Sequence, residues 1–174
     1  MRHILILGAL MLAGAASAQT PYAGMQARPI KALSEQQLAD LAAGRGMGLA
    51  LAAELNGYPG PAHVLELADR LELSPDQRVR VQALFDAMKA EAVPLGAKLI
   101  EQETELDKQF ARRTVTPESL KAATSAAAAT QGELRETHLK YHLSTVAVLS
   151  PGQMQRYAEL RGYGDHPMQH HHHN

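Results

Sequence analysis

Residues 73–77 read Leu-Ser-Pro-Asp-Gln, and residues 149–153 repeat the phrase as Leu-Ser-Pro-Gly-Gln. Each is a helix start. The serine hydroxyl accepts from the amide three residues on, and the glutamine side chain at that third position reaches back to the serine amide, closing a capping box. Pro75 and Pro151 fall at the first helical position, where a missing N–H costs nothing. The same phrase opens at Leu33-Ser34-Glu35-Gln36-Gln37, and Val115-Thr116-Pro117-Glu118-Ser119-Leu120 is a fourth start without the glutamine. Leu33 with Leu38, and Leu149 with Met154, have the spacing of hydrophobic staples.

These starts divide the chain into helices. A first helix is expected from about Glu35 to Leu55, loosened by Gly44, Gly46 and Gly48, and Asn56 to Pro61 reads as a turn. A short helix follows over about Ala62 to Leu71, where Val64, Leu67, Ala68 and Leu71 form one apolar stripe. From Pro75 to about Arg112, the series Phe85, Met88, Ala92, Leu95, Leu99, Gln102 and Leu106 alternates steps of three and four, a heptad seam with one polar position. Pro94 lies inside this helix and predicts a kink near Ala90, at about 3 kcal/mol if uncompensated. A partner helix from about Glu118 to Val148 carries Leu120, Ala127, Leu134, Tyr141 and Val148 seven apart. The short link between the two long helices makes them antiparallel neighbours. A last short helix covers about Gln153 to Leu160. Leu139, Leu143 and Val146 lie nearly opposite the Leu134–Tyr141–Val148 face, so apolar surface on both sides predicts a dimer.

Composition agrees with this reading. The 174 residues are 45% hydrophobic but only 4% aromatic, with no Cys and no Trp, and the formal net charge is −1. Strand-like alternation is missing, and the residues that dominate lose little entropy in a helix. The fold class is all-α: a long antiparallel helical hairpin with short flanking helices. No basic stripe exists, which argues against nucleic acid as a partner. Without Cys there is no disulfide, thiolate metal site or covalently attached haem.

The N-terminus sets the compartment. A basic start at Met1-Arg2-His3, an apolar run from Ile4 to Ala16 and the small residues Ala16-Ser17-Ala18 form the three parts of a secretory signal peptide, with cleavage after Ala18. No later stretch is apolar enough for a membrane helix, so no membrane insertion of the mature chain is expected. The expected organisation is a signal peptide over 1–18, an extended arm over 19–32, a helical domain over 33–163 and a His-rich tail over 164–174.

The two Leu-Ser-Pro-x-Gln motifs, the hairpin between them, and the stretch from Leu134 to Tyr157 ending in Arg161-Gly162-Tyr163 resemble the CpxP/Spy group of periplasmic LTxxQ proteins. That group includes the heavy-metal-resistance and metal-sensor proteins of the ZraP and CnrX type. The resemblance covers roughly residues 60 to 163. It implies an intertwined homodimer of hairpins in the periplasm, serving envelope or metal stress by binding rather than by catalysis. Some members bind unfolded proteins without ATP; others sense or buffer zinc, copper, nickel or cobalt beside a membrane sensor. This chain lacks the strongly basic concave surface of the chaperone-like members and the paired N-terminal histidines of the nickel and cobalt sensors.

The histidines carry the chemistry. His138 and His142 are one helical turn apart, with Cβ atoms roughly 6 Å apart on one face, which suits two imidazoles on one Zn, Cu, Ni or Co ion. In the sensor-type relatives a His-x-x-x-Met pair occupies the comparable helix, so the resemblance places His142 where a thioether would stand. His63 and Glu66, on the exposed face of the short helix, are the candidates for further ligands, from the same chain or a partner's. In the plainer reading His138 hydrogen-bonds locally on the apolar stripe and His142 is solvated. His170, His171, His172 and His173 can chelate ions loosely as neutral imidazoles.

Other signals read as structural. His-Glu-x-x-His fails because Leu139 follows His138. No Ser/His/Asp constellation assembles, so no enzyme is expected and no cofactor is required. Gly44-Arg45-Gly46-Met47-Gly48 follows helix rather than strand and is no phosphate loop. Met47 and Met88 read as core rather than copper ligands. The leading function is metal sensing or buffering; the alternatives are an ATP-independent holdase for unfolded clients and a regulatory ligand of an envelope sensor.

Overall fold

The computed structural model describes residues 22–163, and no strand occurs among them. Six α-helices follow a 3-10 turn at Met25–Ala27: α1 (Glu35–Ala42), α2 (Leu51–Glu54), α3 (Pro61–Glu66), α4 (Pro75–Ala111), α5 (Pro117–Val146) and α6 (Pro151–Arg161). The stretches expected as signal peptide and His-rich tail lie outside the described residues.

All four expected starts close as capping boxes. Ser34 pairs with Gln37, Ser74 with Gln77 and Ser150 with Gln153. At the fourth, Ser119 takes the glutamine's place: its hydroxyl accepts from the Thr116 amide at 3.0 Å, while Thr116 Oγ1 accepts from the Ser119 amide at 3.2 Å. A serine can do this because only one short polar side chain is needed to reach the orphan N–H.

Two of the glutamines do more than cap. The Gln77 amide donates to Gln153 Oε1 at 2.8 Å, and the Gln153 amide donates to Gln77 Oε1 at 2.9 Å. Gln77 also donates to the Val148 carbonyl just before α6, and Gln153 to the Leu71 carbonyl just before α4. Each motif therefore holds the approach to the other's helix, although they stand 76 residues apart. Gln77→Ala and Gln153→Ala should each cost about 1–2 kcal/mol, a lost cap partner plus partly buried hydrogen bonds. In urea denaturation the double variant is expected to fall short of the sum by about 1 kcal/mol, because both changes break the same contact. Strictly additive losses would mean two independent caps.

Around this clasp Val64, Leu71, Leu73, Val81, Leu149 and Tyr157 form one buried cluster. Further along the hairpin Leu41, Ala92, Leu99 and Leu134 form a second, which docks α1 onto α4 and α5. The heptad seam is thus buried at Met88, Ala92 and Leu99, with Phe85, Leu95, Gln102 and Leu106 half-covered. Between the long helices, Glu91 accepts from the Tyr141 hydroxyl at 2.8 Å and pairs with Lys140. Lys140 first, and then Tyr141, hold the half-exposed Glu91 carboxyl below its usual range.

Two expectations change. The single helix from Glu35 to Leu55 is two helices, because Gly44 and Gly48 take left-handed φ angles of 64° and 84°, and Met47 between them takes 44°. Glycine costs a helix about 1 kcal/mol per residue relative to alanine, and three in five residues end it. The arm is not extended throughout. It contains the 3-10 turn, buries Ile30, and ties Lys31 Nζ to Asp107 on α4 at 3.2 Å. Pro94 lies within α4, as the sequence places it. Pro94 and Ala90 are both on the exposed side, so water can take the carbonyl that the proline ring leaves unbonded.

Candidate functional site

Between the clasp and the docking point of α1, the loop from Ala43 to Ala50 arches over α4 and α5. Under it lies a cleft of about 500 Å³, walled also by α2 and α3. His138, His142, His63 and Glu66 all line it. The short helix that carries His63 and Glu66 packs against α4 and α5.

His142 is 8% exposed, and its environment assigns its nitrogens. Nδ1 stands 2.6 Å from the Tyr58 carbonyl oxygen, so it carries the proton and donates. In the neutral ring Nε2 is then the bare acceptor. Nε2 faces Gly60, where a Cβ would come within 2.6 Å of it, so only glycine leaves room there.

His138, one turn earlier, is 3% exposed, and its Nε2 is buried without a hydrogen-bond partner. Gly46 packs on its other nitrogen, with an added Cβ falling 3.4 Å from Nδ1. Burial pushes the His138 pKa below the ordinary imidazole value, and the neighbouring His142 pushes it the same way. His138 is therefore a neutral imidazole with spare coordinating capacity. A buried polar group left unpaired costs roughly 1–3 kcal/mol, so this one is unusual.

His63 is half-exposed and turns to its own helix, with Nδ1 at 2.9 Å from Glu66 Oε2. One cleft thus brings the four candidates to its walls, yet among the described residues no three His, Asp or Glu side chains converge as a metal-holding group. His170 to His173 lie outside the described residues.

The sequence reading missed the residue that braces this site. Glu54, at the end of α2, is only 6% exposed. Its Oε1 accepts from the Tyr157 hydroxyl and, at 3.3 Å, from the Tyr163 hydroxyl; its Oε2 accepts from the Gly60 amide at 3.3 Å. Arg161 Nε stands 3.5 Å from Oε1, and His142 Nδ1 3.8 Å from Oε2. Burial, then the bond to Glu54, pushes the Tyr157 phenol far above its usual value, so it stays a donor. The one available signal was a lone acid inside the apolar run Leu49-Ala50-Leu51-Ala52-Ala53-Glu54-Leu55. Met47 and Met88, read from the sequence as core, line the same cleft as His138. Met88 is buried, as expected, while Met47 is exposed, in a left-handed backbone that costs an L-residue roughly 1–2 kcal/mol.

The fold is an all-helical hairpin closed by two interlocked capping glutamines, with a histidine-bearing cleft beside the clasp. The profile described as LTXXQ motif family protein matches residues 62–161, which include both glutamines. The chain belongs to this family, whose members are typically periplasmic and commonly form homodimers. No curated protein and no solved structure matches the chain. Among the described residues no helix is long and apolar enough to cross a membrane.

Proposed function

We propose that this chain is a periplasmic, non-enzymatic binding protein of the envelope stress response that takes up a transition-metal ion in the cleft beside α5. The observation that carries the reading is His138, a buried neutral imidazole with a nitrogen that nothing satisfies. His142 supports it. A metal-ligating histidine usually donates its second ring N–H to a carbonyl or carboxylate, which fixes the tautomer and orients the ring. His142 already does so toward Tyr58. His63 and Glu66 would complete the site from α3, and His170 to His173 would collect ions for it. Two copies would pair through the hairpin, covering Leu143 and other apolar residues exposed in one copy.

The test is calorimetric titration of the mature chain with Zn(II), Cu(II), Ni(II) and Co(II). A site of micromolar affinity or better should survive replacement of His170 to His173 by alanine. It should vanish when His138→Ala and His142→Ala are combined. A titration unchanged by that pair of substitutions ends the metal reading.

A second reading, the holdase, rests on a different observation. Met47, Leu51, Leu55 and Tyr58 are all exposed, and the first three are spaced four apart. An apolar strip beside a cleft suits an extended client segment. It predicts suppression of client aggregation without metal or nucleotide, undiminished in the double histidine variant.

A further inference from the structure

The cleft contains donors that the histidine reading leaves unused. Met88, buried, and Met47, exposed, both line the cleft that His138 lines. Met47 is a poor choice for its backbone position. Its φ of 44° is left-handed, with Gly46 before it and Gly48 after it in a loop where glycine serves better. Its side chain is substantially exposed, so core packing does not explain it. Met47 lines the same cleft as His138, whose buried Nε2 has no partner. Residues kept in sparsely populated backbone regions concentrate at ligand clamps.

We propose that Met47, Met88 and His138 form a binding site for a soft monovalent ion, Cu(I) or Ag(I), with two thioether sulfurs and one imidazole nitrogen as donors. The proposal rests on His138 being a metal ligand, as above, and adds which class of ion the site prefers. Thioethers bind hard cations poorly and select Cu(I) among biological metals. A d10 monovalent ion accepts three-coordinate geometry. Such a site needs no third His, Asp or Glu, and none converges among the described residues.

Ag(I) is the probe, since it needs no reductant. It is titrated in chloride-free buffer into the full mature chain with His170, His171, His172 and His173 changed to alanine. Zn(II) is titrated in parallel. Loss of an outer-shell partner alone costs metal sites roughly 10–100-fold, so Met47→Leu and Met88→Leu should each lower Ag(I) affinity at least about tenfold. Both substitutions conserve volume and should leave Zn(II) binding and the helical circular dichroism unchanged. X-ray absorption of the Ag(I) form should show sulfur scattering that the double methionine variant lacks. Undiminished Ag(I) affinity in both leucine variants, or a shell of nitrogen and oxygen only, overturns the proposal. If Zn(II) binding then still depends on His138, the soft-ion site alone is wrong. If His138→Ala alters the binding of neither ion, the metal reading falls with it.

Discussion

Glu54→Ala is expected to remove about 3–5 kcal/mol of folding stability, the range for deleting one partner of a buried charged network. The reason is what the deletion strands. Tyr157, Tyr163 and the Gly60 amide lose their acceptor together, and Arg161 loses its nearest carboxylate. Each buried donor left unpaired costs roughly 1–3 kcal/mol, and the partners come from α6, the C-terminal turn and the α2–α3 link. One side chain therefore fastens α6 and Tyr163 to the wall of the cleft. Glu54→Gln keeps the shape and one acceptor oxygen but gives up the charge and one acceptor position, so its loss should be intermediate. Urea denaturation at fixed protein concentration, followed by circular dichroism, measures both; the concentration is held because association would shift the midpoint. A loss below about 1 kcal/mol for Glu54→Ala, the size of an ordinary surface effect, would show that the network is not cooperative. The same variant should loosen His142, because the Gly60 backbone and the Tyr58 carbonyl lie on the segment that Glu54 holds.

How far the sequence could be read depended on the range of the interaction behind each feature. The helix starts were legible because a capping box is closed within four residues, and the antiparallel hairpin because a heptad seam and a short link are both local patterns. The Gln77–Gln153 clasp was not legible. Each glutamine is already explained by its own cap, and nothing nearby signals a second partner. Glu54 was missed for the same reason: its phenol partners are 103 and 109 residues away. The histidine pair was visible from spacing, but spacing says nothing of burial. The plainer reading put His142 in solvent, whereas the Tyr58 carbonyl and Gly60 enclose it. Met47 and Met88, taken one residue at a time, read as core; only the structure shows that they line the cleft that His138 also lines. The break between α1 and α2 was written in the glycines at 44, 46 and 48 but underweighted, because loosening and ending a helix differ only in how many glycines act together.

Gly96→Ala is the sharpest packing test, and it should act through the same cleft. A Cβ at Gly96 would fall 2.2 Å from the Leu41 carbonyl oxygen and 2.8 Å from its carbon. The obstacle is backbone, which cannot rotate aside as a side chain would, so α1 must lift from α4. Overpacking typically costs 1–3 kcal/mol, occasionally more, and a clash with backbone belongs at the top, about 3 kcal/mol. Gly132→Ala supplies the opposite sign. That glycine lies within α5, and an added Cβ there meets nothing within 4 Å. Removing a helical glycine should stabilise by roughly 0.5–1 kcal/mol. Denaturation of the two variants thus separates a contact effect from helix propensity; a neutral Gly96→Ala would mean that α1 docks loosely. The consequence for binding follows from chain order. Lifting α1 disturbs Leu41, buried against Ala92, Leu99 and Leu134, and Leu41 lies just before the loop that brings Gly46 onto His138. Metal affinity should therefore fall in Gly96→Ala although the glycine touches no candidate ligand, while Gly132→Ala leaves it intact.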